Sequence, residues 1–274
     1  MGRMSEGRGR IERGLDDGSR GRSRSHGEQN MKGNHQRAGF TLIELMIVVG
    51  IIAIVSSLAV PKLLAARVSA DEAAAISTLR TISSAQGQVK SSGAIDTDGD
   101  GNGEYGYFAE LAGTVPMRVA SAAGPAAGGV HDKLFPTVLP SAFGTVANSL
   151  VTRAGYDFQV WLPGATMGGL TPGIAEDAGG GKIAAPFPDP DNGEILWCCY
   201  AWPMQTNGAG NRAFCINQEG DMLQCLNRNP TPYSGTTKTP AFDEAYKVLG
   251  DMGSGLRIGA PAGGHDNTIW VPVQ

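Results

Sequence analysis

From Phe40 to Val60 the chain reads FTLIELMIVVGIIAIVSSLAV, 21 residues with one charge, Glu44, and no proline. At about 1.5 Å per helical residue this run spans about 30 Å, the hydrocarbon thickness of a bilayer. It is longer than the roughly 7–15 apolar residues of a signal peptide, and no small-x-small cleavage site closes it. A membrane-inserted helix is therefore expected, with its orientation set by the flanking charge. Residues 1–39 hold nine Lys and Arg against five acids, whereas residues 40–274 hold 13 against 21. The basic arm should stay cytoplasmic and the acidic body should be exported. A body of that charge does not suit nucleic acid.

Glu44 is the odd residue in the run, because a carboxylate in hydrocarbon is costly unless it is protonated or paired. One reading is an acid tolerated near the membrane surface, five residues into the apolar run. The other starts from Ala38-Gly39-Phe40-Thr41-Leu42-Ile43-Glu44. This stretch resembles the processing and assembly motif of type IV pilins and type II secretion pseudopilins. The resemblance implies that a prepilin peptidase cuts after Gly39 and that the new amine, on Phe40, is methylated. It further implies that Glu44 pairs with the Phe40 amine of a neighbouring subunit, which supplies the partner that the energetics demand. Pro61 falls where many members carry a helix-kinking proline, and an internal proline removes a helical hydrogen bond and bends or locally melts the helix. Ala38, preceded by Arg37, departs from the Lys or Arg that many members place directly before the cleavage glycine. The 39-residue leader is long for the family, and a start at Met31 would shorten it to nine residues.

The resemblance is strong over residues 40–92 and architectural beyond. It implies an α+β, pilin-like fold, in which a long N-terminal helix packs on an antiparallel β-sheet meander. The partners it implies are identical or related pilin subunits, the prepilin peptidase, an inner-membrane assembly platform and the lipid bilayer. The subunit would sit in the inner membrane with its C-terminal domain periplasmic, and then enter a periplasmic pseudopilus or an extracellular pilus. Four segments follow: a leader over 1–39, a transmembrane and assembly half-helix over 40–60, an amphipathic half-helix over 61–92, and an exported β-rich body over 93–274.

After Pro61 the helix should continue, because Ile76, Leu79, Ile82 and Val89 recur at helical spacing. Ser91-Ser92-Gly93 should end it. In the body Gly is abundant, 40 of 274 residues over the whole chain, and 113–150 and 163–193 read as loops with a short helix at 141–151. Tyr156–Leu162 alternates and is closed by Pro163-Gly164, a strand signal. Residues 195–201, 213–217 and 221–226 read as three further strands of an antiparallel meander, the last two joined by a turn at 218–220. A short helix is expected from Thr239, with Pro240 in its first turn, to Gly250. Thr268–Val273 reads as an edge strand, since Pro272 is tolerable only there.

Asp96, Asp98 and Asp100 alternate, and Asn102 and Glu104 continue the spacing. Such a segment turns several oxygen ligands onto one hard cation, with Gly99, Gly101 and Gly103 permitting the tight turn. Asp96, Asp98, Asp100, Gly101 and Glu104 match positions 1, 3, 5, 6 and 9 of an EF-hand loop, but position 12 is Tyr107. Ca²⁺ is thus the expected cofactor, with a plain acidic turn as the alternative, and no organic cofactor is expected. Gly101-x-Gly103-x-x-Gly106 fits a dinucleotide fingerprint only formally, because it follows a helix and its acids would repel pyrophosphate. Cys198, Cys199, Cys215 and Cys225 all fall in the meander of a domain expected in an oxidising compartment. Two bridges from the Cys198/Cys199 pair to Cys215 and Cys225 are expected, with reduced thiols as the alternative. A zinc site is disfavoured by the spacing. Only four His are present, and His131 and His265 sit in Gly-rich loops, so no catalytic residues are assigned. Trp197, Tyr200, Trp202 and Phe214 are expected in the core.

A prepilin-type filament subunit, not an enzyme, is the expected function. The competing expectation is a membrane-anchored exported binding module or enzyme, which would keep the apolar run and have no need of Glu44.

Overall fold

A computed structural model describes residues 39–273 except 207, 229, 260–265 and 267. It divides into an N-terminal unit ending at Ile51 and a second unit from Ile52 onward. Helix α1 runs over Leu42–Ser92, and Gly93 ends it at a φ of +61°, a conformation that costs glycine little. The helix continues through Pro61 without interruption. Of the N-terminal unit, the described residues comprise the start of α1 and three residues without regular secondary structure, Gly39, Phe40 and Thr41. Their apolar side chains are exposed.

In the second unit, Glu72, Ala75, Leu79, Ile82, Ala85, Gln86 and Val89 form the buried stripe of α1. Their spacing of three and four residues keeps them on one helical face. Ile76, expected in this stripe, is only partly buried. The stripe packs on a seven-stranded antiparallel sheet. Its strands are β3 (Val151–Arg153), β4 (Tyr156–Pro163), β5 (Gly173–Ala175), β6 (Cys198–Pro203), β7 (Arg212–Asn217), β8 (Met222–Leu226) and β9 (Trp270–Pro272). They are ordered β3-β4-β6-β7-β8-β9, with β5 on the far part of β4. Tyr156, Phe158, Val160 and Leu162 of β4 share the core with the helix, together with Cys199, Ala201, Phe214 and Ile216. Pro272 lies in the edge strand β9, as its missing N–H requires.

Two polar anchors tie α1 to the body. Gln86 donates from Nε2 to the Gly106 carbonyl (2.8 Å) and accepts from the Gly106 N–H (2.9 Å). Glu72 accepts from Arg212 of β7, Nε at 2.7 Å and Nη2 at 2.5 Å, and from the Asn211 N–H. Each satisfies a group that burial would otherwise penalise.

Three sequence expectations are corrected. Residues 113–150 and 163–193 are not mere loops: they hold a hairpin of β1 (Arg118–Ser121) and β2 (Gly124–Ala127), as well as β5 and a short helix α3 (Pro190–Ile195). The helix expected at 141–151 shrinks to one 3-10 turn at Ser141–Gly144, followed by β3, and a further one-turn helix α2 occupies Phe108–Leu111. Residues 239–250 form turns, because the sheet competes for their backbone groups. Tyr200 Oη donates to the Phe242 carbonyl and accepts from the Ala245 N–H, and the Ala245 carbonyl accepts from Arg257 N. This segment covers the second face of the sheet, where Tyr200, Trp202, Tyr233, Tyr246, Met252 and Trp270 form a second core.

Candidate functional site

Phe40 is 91% exposed at the head of α1. Thr41 caps the helix: its Oγ1 accepts from the Glu44 N–H (3.2 Å), while Glu44 Oε2 accepts from the Thr41 N–H and from Thr41 Oγ1, both at 2.8 Å. This reciprocal arrangement is a capping box. Thr-x-x-Glu was the signal for it in the sequence, read there only as part of the processing motif. The Glu44 carboxylate is thus held by Thr41 of its own chain. Behind it, α1 is long and apolar enough to cross a membrane, and none of its most apolar window is buried.

The acidic loop follows the end of α1. Asp96 Oδ1 and Oδ2 accept from the N–H groups of Gly99 (2.7 Å) and Gly101 (3.1 Å), and Asp98 Oδ1 accepts from Asp100 N (3.1 Å). Asp100 accepts from the backbone and side-chain nitrogens of Asn102, both at 2.8 Å. Asp96, Asp98 and Asp100 each bring a carboxylate oxygen within 4.8 Å of the others. Asp98 makes a second such trio with Asp191 and Glu194 of α3. Sequence reasoning missed those two, whose signal was the i, i+3 spacing on a helix capped by Asp189. Glu194 is pushed above the ordinary carboxylate range, by desolvation first and then by the charges of Asp100, Asp98 and Asp191. Asp98 is raised as well. The Asp100 N–H draws it down, but desolvation and the acids on either side outweigh that.

Glu104 does not join this cluster, which corrects its assignment as a metal ligand. It is buried, accepts from Thr97 N (2.6 Å) and Thr97 Oγ1, and pairs with Arg118 Nη1 at 3.0 Å. Arg118, itself buried, also meets Glu110 Oε1 through Nε (3.1 Å) and the Tyr105 carbonyl through Nη2 (2.6 Å). Gly103 lets the loop pass close to the end of α1, since a Cβ there would lie 2.0 Å from the Lys90 carbonyl oxygen.

Residues 34–60 match the family model of the prokaryotic N-terminal methylation motif. The chain carries a prepilin-type N-terminus. Among the described residues, one long N-terminal apolar helix and an antiparallel sheet make an α+β arrangement that matches a pilin-like fold. No characterised protein and no solved structure matches the chain significantly.

The four cysteines of the prepilin-type chain are divided between the two cores. Adjacent strand residues point to opposite faces. Cys199 accordingly sits in the core under α1, while Cys198, Cys215 and Cys225 sit in the second core. Cys199 therefore faces away from Cys215 and Cys225, and the two expected bridges do not form: all four cysteines are buried free thiols. Burial pushes every one of them up, Cys225 to about 12, which leaves no reactive thiolate at neutral pH. Trp197, Tyr200, Trp202 and Phe214 are core side chains, as expected. His131 is exposed in a turn, and His265 lies outside the described residues, as do Met31 and the leader up to residue 38.

Proposed function

We propose that this chain is a subunit that polymerises into a type IV pilus or a type II secretion pseudopilus after cleavage at Gly39/Phe40 and methylation of the Phe40 amine. One observation carries the reading: a matched methylation motif opens an unburied apolar helix whose first turn holds a lone acid, Glu44. In the membrane the apolar face is solvated by lipid and Glu44 is held at the capping box. In the filament, neighbouring helices take the place of lipid, and the methylated amine of the next subunit takes the place of Thr41 as the partner of Glu44. The partners are then other pilin subunits, the prepilin peptidase and an inner-membrane assembly platform, with the body on the periplasmic side. Pro61 marks the segment where the helix lacks one backbone hydrogen bond, a position suited to adjustment during assembly.

For the acidic loop the proposal is Ca²⁺. The donors are hard oxygens of the kind Ca²⁺ takes, supplied by Asp96, Asp98 and Asp100 on one side and by Asp191 and Glu194 on the other. Asn102 orients Asp100 and stays outside the carboxylate set.

Processing is tested by N-terminal sequencing and intact mass of protein extracted from membranes. A chain beginning at methylated Phe40 is expected. A chain that retains residues 31–39 would mean that the motif is not used.

A further inference from the structure

On the sheet face away from α1, Asp157 of β4 stands opposite Trp202 of β6. It is 4% exposed, and among the described residues it has one hydrogen-bond partner, Thr152 Oγ1, which donates to its Oδ1 at 2.5 Å. A carboxylate buried to this degree ordinarily gathers two or three donors, because desolvation penalises every lone pair left without one. Asp157 forms part of the wall of a cleft of about 340 Å³.

The walls of the cleft divide by chemistry. Leu150 and Met204 supply apolar surface, while the hydroxyl-bearing Thr152, Thr236 and Thr237 stand with Asp157. The fold holds the cleft open at defined points. Trp202 Nε1 donates to the Gly235 carbonyl (2.9 Å) and Gly235 N donates to the Pro203 carbonyl (3.0 Å), so the 235 loop is fixed to the end of β6. Gly235 has a φ of +47°, and a Cβ there would meet the Met204 carbonyl oxygen at 2.9 Å and approach Asp157 Oδ2 at 3.9 Å. Any larger residue would crowd the space beside the carboxylate. On the opposite rim, Asn148 and Ser149 both take left-handed backbone (φ 54° and 63°) to close a tight turn between Ala147 and Leu150. Two consecutive residues other than glycine in that region are unfavourable and need the surroundings to hold them.

We propose that this cleft binds a primary alkylammonium group, that of a lysine side chain or of a small free amine. An ammonium carries three N–H donors on a methylene stem. Asp157 takes one donor as a charge-assisted hydrogen bond, the threonine hydroxyls accept the others, and the stem lies along Leu150 and Met204. A neutral alcohol of the same length would fill the space without balancing the buried charge.

The test is calorimetric titration of the full-length protein in detergent with n-butylammonium chloride and with N-acetyl-lysine methylamide. n-Butanol and sodium chloride at the same concentrations are the controls. Saturable binding of an ammonium, with no binding of butanol, is expected. Tighter binding of the lysine derivative identifies a protein or peptide lysine as the source, and tighter binding of butylammonium identifies a free amine. Asp157→Asn keeps the acceptor for Thr152 and removes the charge, so it should retain its melting temperature and bind at least about tenfold more weakly. Binding of neither ammonium, equal binding of butanol, or unchanged affinity in a folded Asp157→Asn would overturn the proposal. Should that variant not fold, the wild-type comparison of butylammonium with butanol still decides.

Discussion

Arg118 is the cation on which the buried polar layer of the body depends: it faces Glu104 and Glu110, and all three side chains are at most 1% exposed. Removing one partner of a buried pair leaves the other charge without solvent or counterion. Arg118→Met should therefore destabilise the protein by about 3–5 kcal/mol in chemical denaturation, the range for broken buried pairs. A loss below about 1 kcal/mol would show that the two acids find other partners. Glu176 makes a second residue-scale case. Its Oε1 accepts from Ala109 N (2.9 Å) and Gly181 N (2.7 Å), its Oε2 is buried without a partner among the described residues, and burial pushes its pKa up to about 8. The folded state thus binds a proton that the unfolded chain has already released. Stability from this group is full below about pH 4.5 and is lost as pH rises to about 8. Glu176→Gln should flatten the decline in unfolding free energy between pH 5 and 8 by on the order of 1–3 kcal/mol. An identical slope in both proteins would rule Glu176 out as its source. Neither residue was legible in the sequence. The regular spacing of Asp96 to Glu104 read as one ligand set, and nothing in it says that a distant arginine turns Glu104 inward.

At the scale of elements, legibility followed the strength of the repeating pattern. The buried stripe of α1 and strands β4, β6, β7 and β8 were readable because apolar residues recur at the helical period or alternate between Gly- and Pro-marked turns. β6 was placed early, since Pro190–Ile195 is a helix and the strand starts only at Cys198. The hairpin of β1 and β2 escaped notice because Gly-Pro-Ala-Ala carries no strand signal of its own and is held by its pairing to Arg118–Ser121. Thr239–Gly250 has a helix's cap and stop, but Tyr200 takes its backbone groups from outside. The acidic loop and α3 meet only in the fold, and they share a prediction. If Asp96, Asp98, Asp100, Asp191 and Glu194 hold Ca²⁺, millimolar calcium should raise the melting temperature of the full chain by roughly 2–5 °C. Asp98→Ala, which removes the acid common to both trios, should abolish the shift. An equal shift in that variant, or none in the wild type, would leave only an acidic turn.

For the whole molecule the question is what an unburied apolar helix with one acid is for. An anchor needs the hydrophobic run and nothing more. On the function proposed above, a filament subunit also needs a charge that finds its counterion only in another subunit, and Glu44, the acid in the first turn of α1 within the matched motif, is the residue that would supply it. The capping box makes the two roles separable, because glutamine serves a capping box as glutamate does. Glu44→Gln therefore keeps the bonds to Thr41 and removes only the charge. The decisive measurement is filament yield, by shear fractionation and electron microscopy, from cells producing Glu44→Gln in place of the wild type, with N-terminal mass analysis of the membrane fraction. The expected result is a membrane-inserted pool cleaved to Phe40, with filaments absent or sharply reduced. Filaments at wild-type yield from the Glu44→Gln chain would contradict the account and leave an anchored exported domain as the function of this protein.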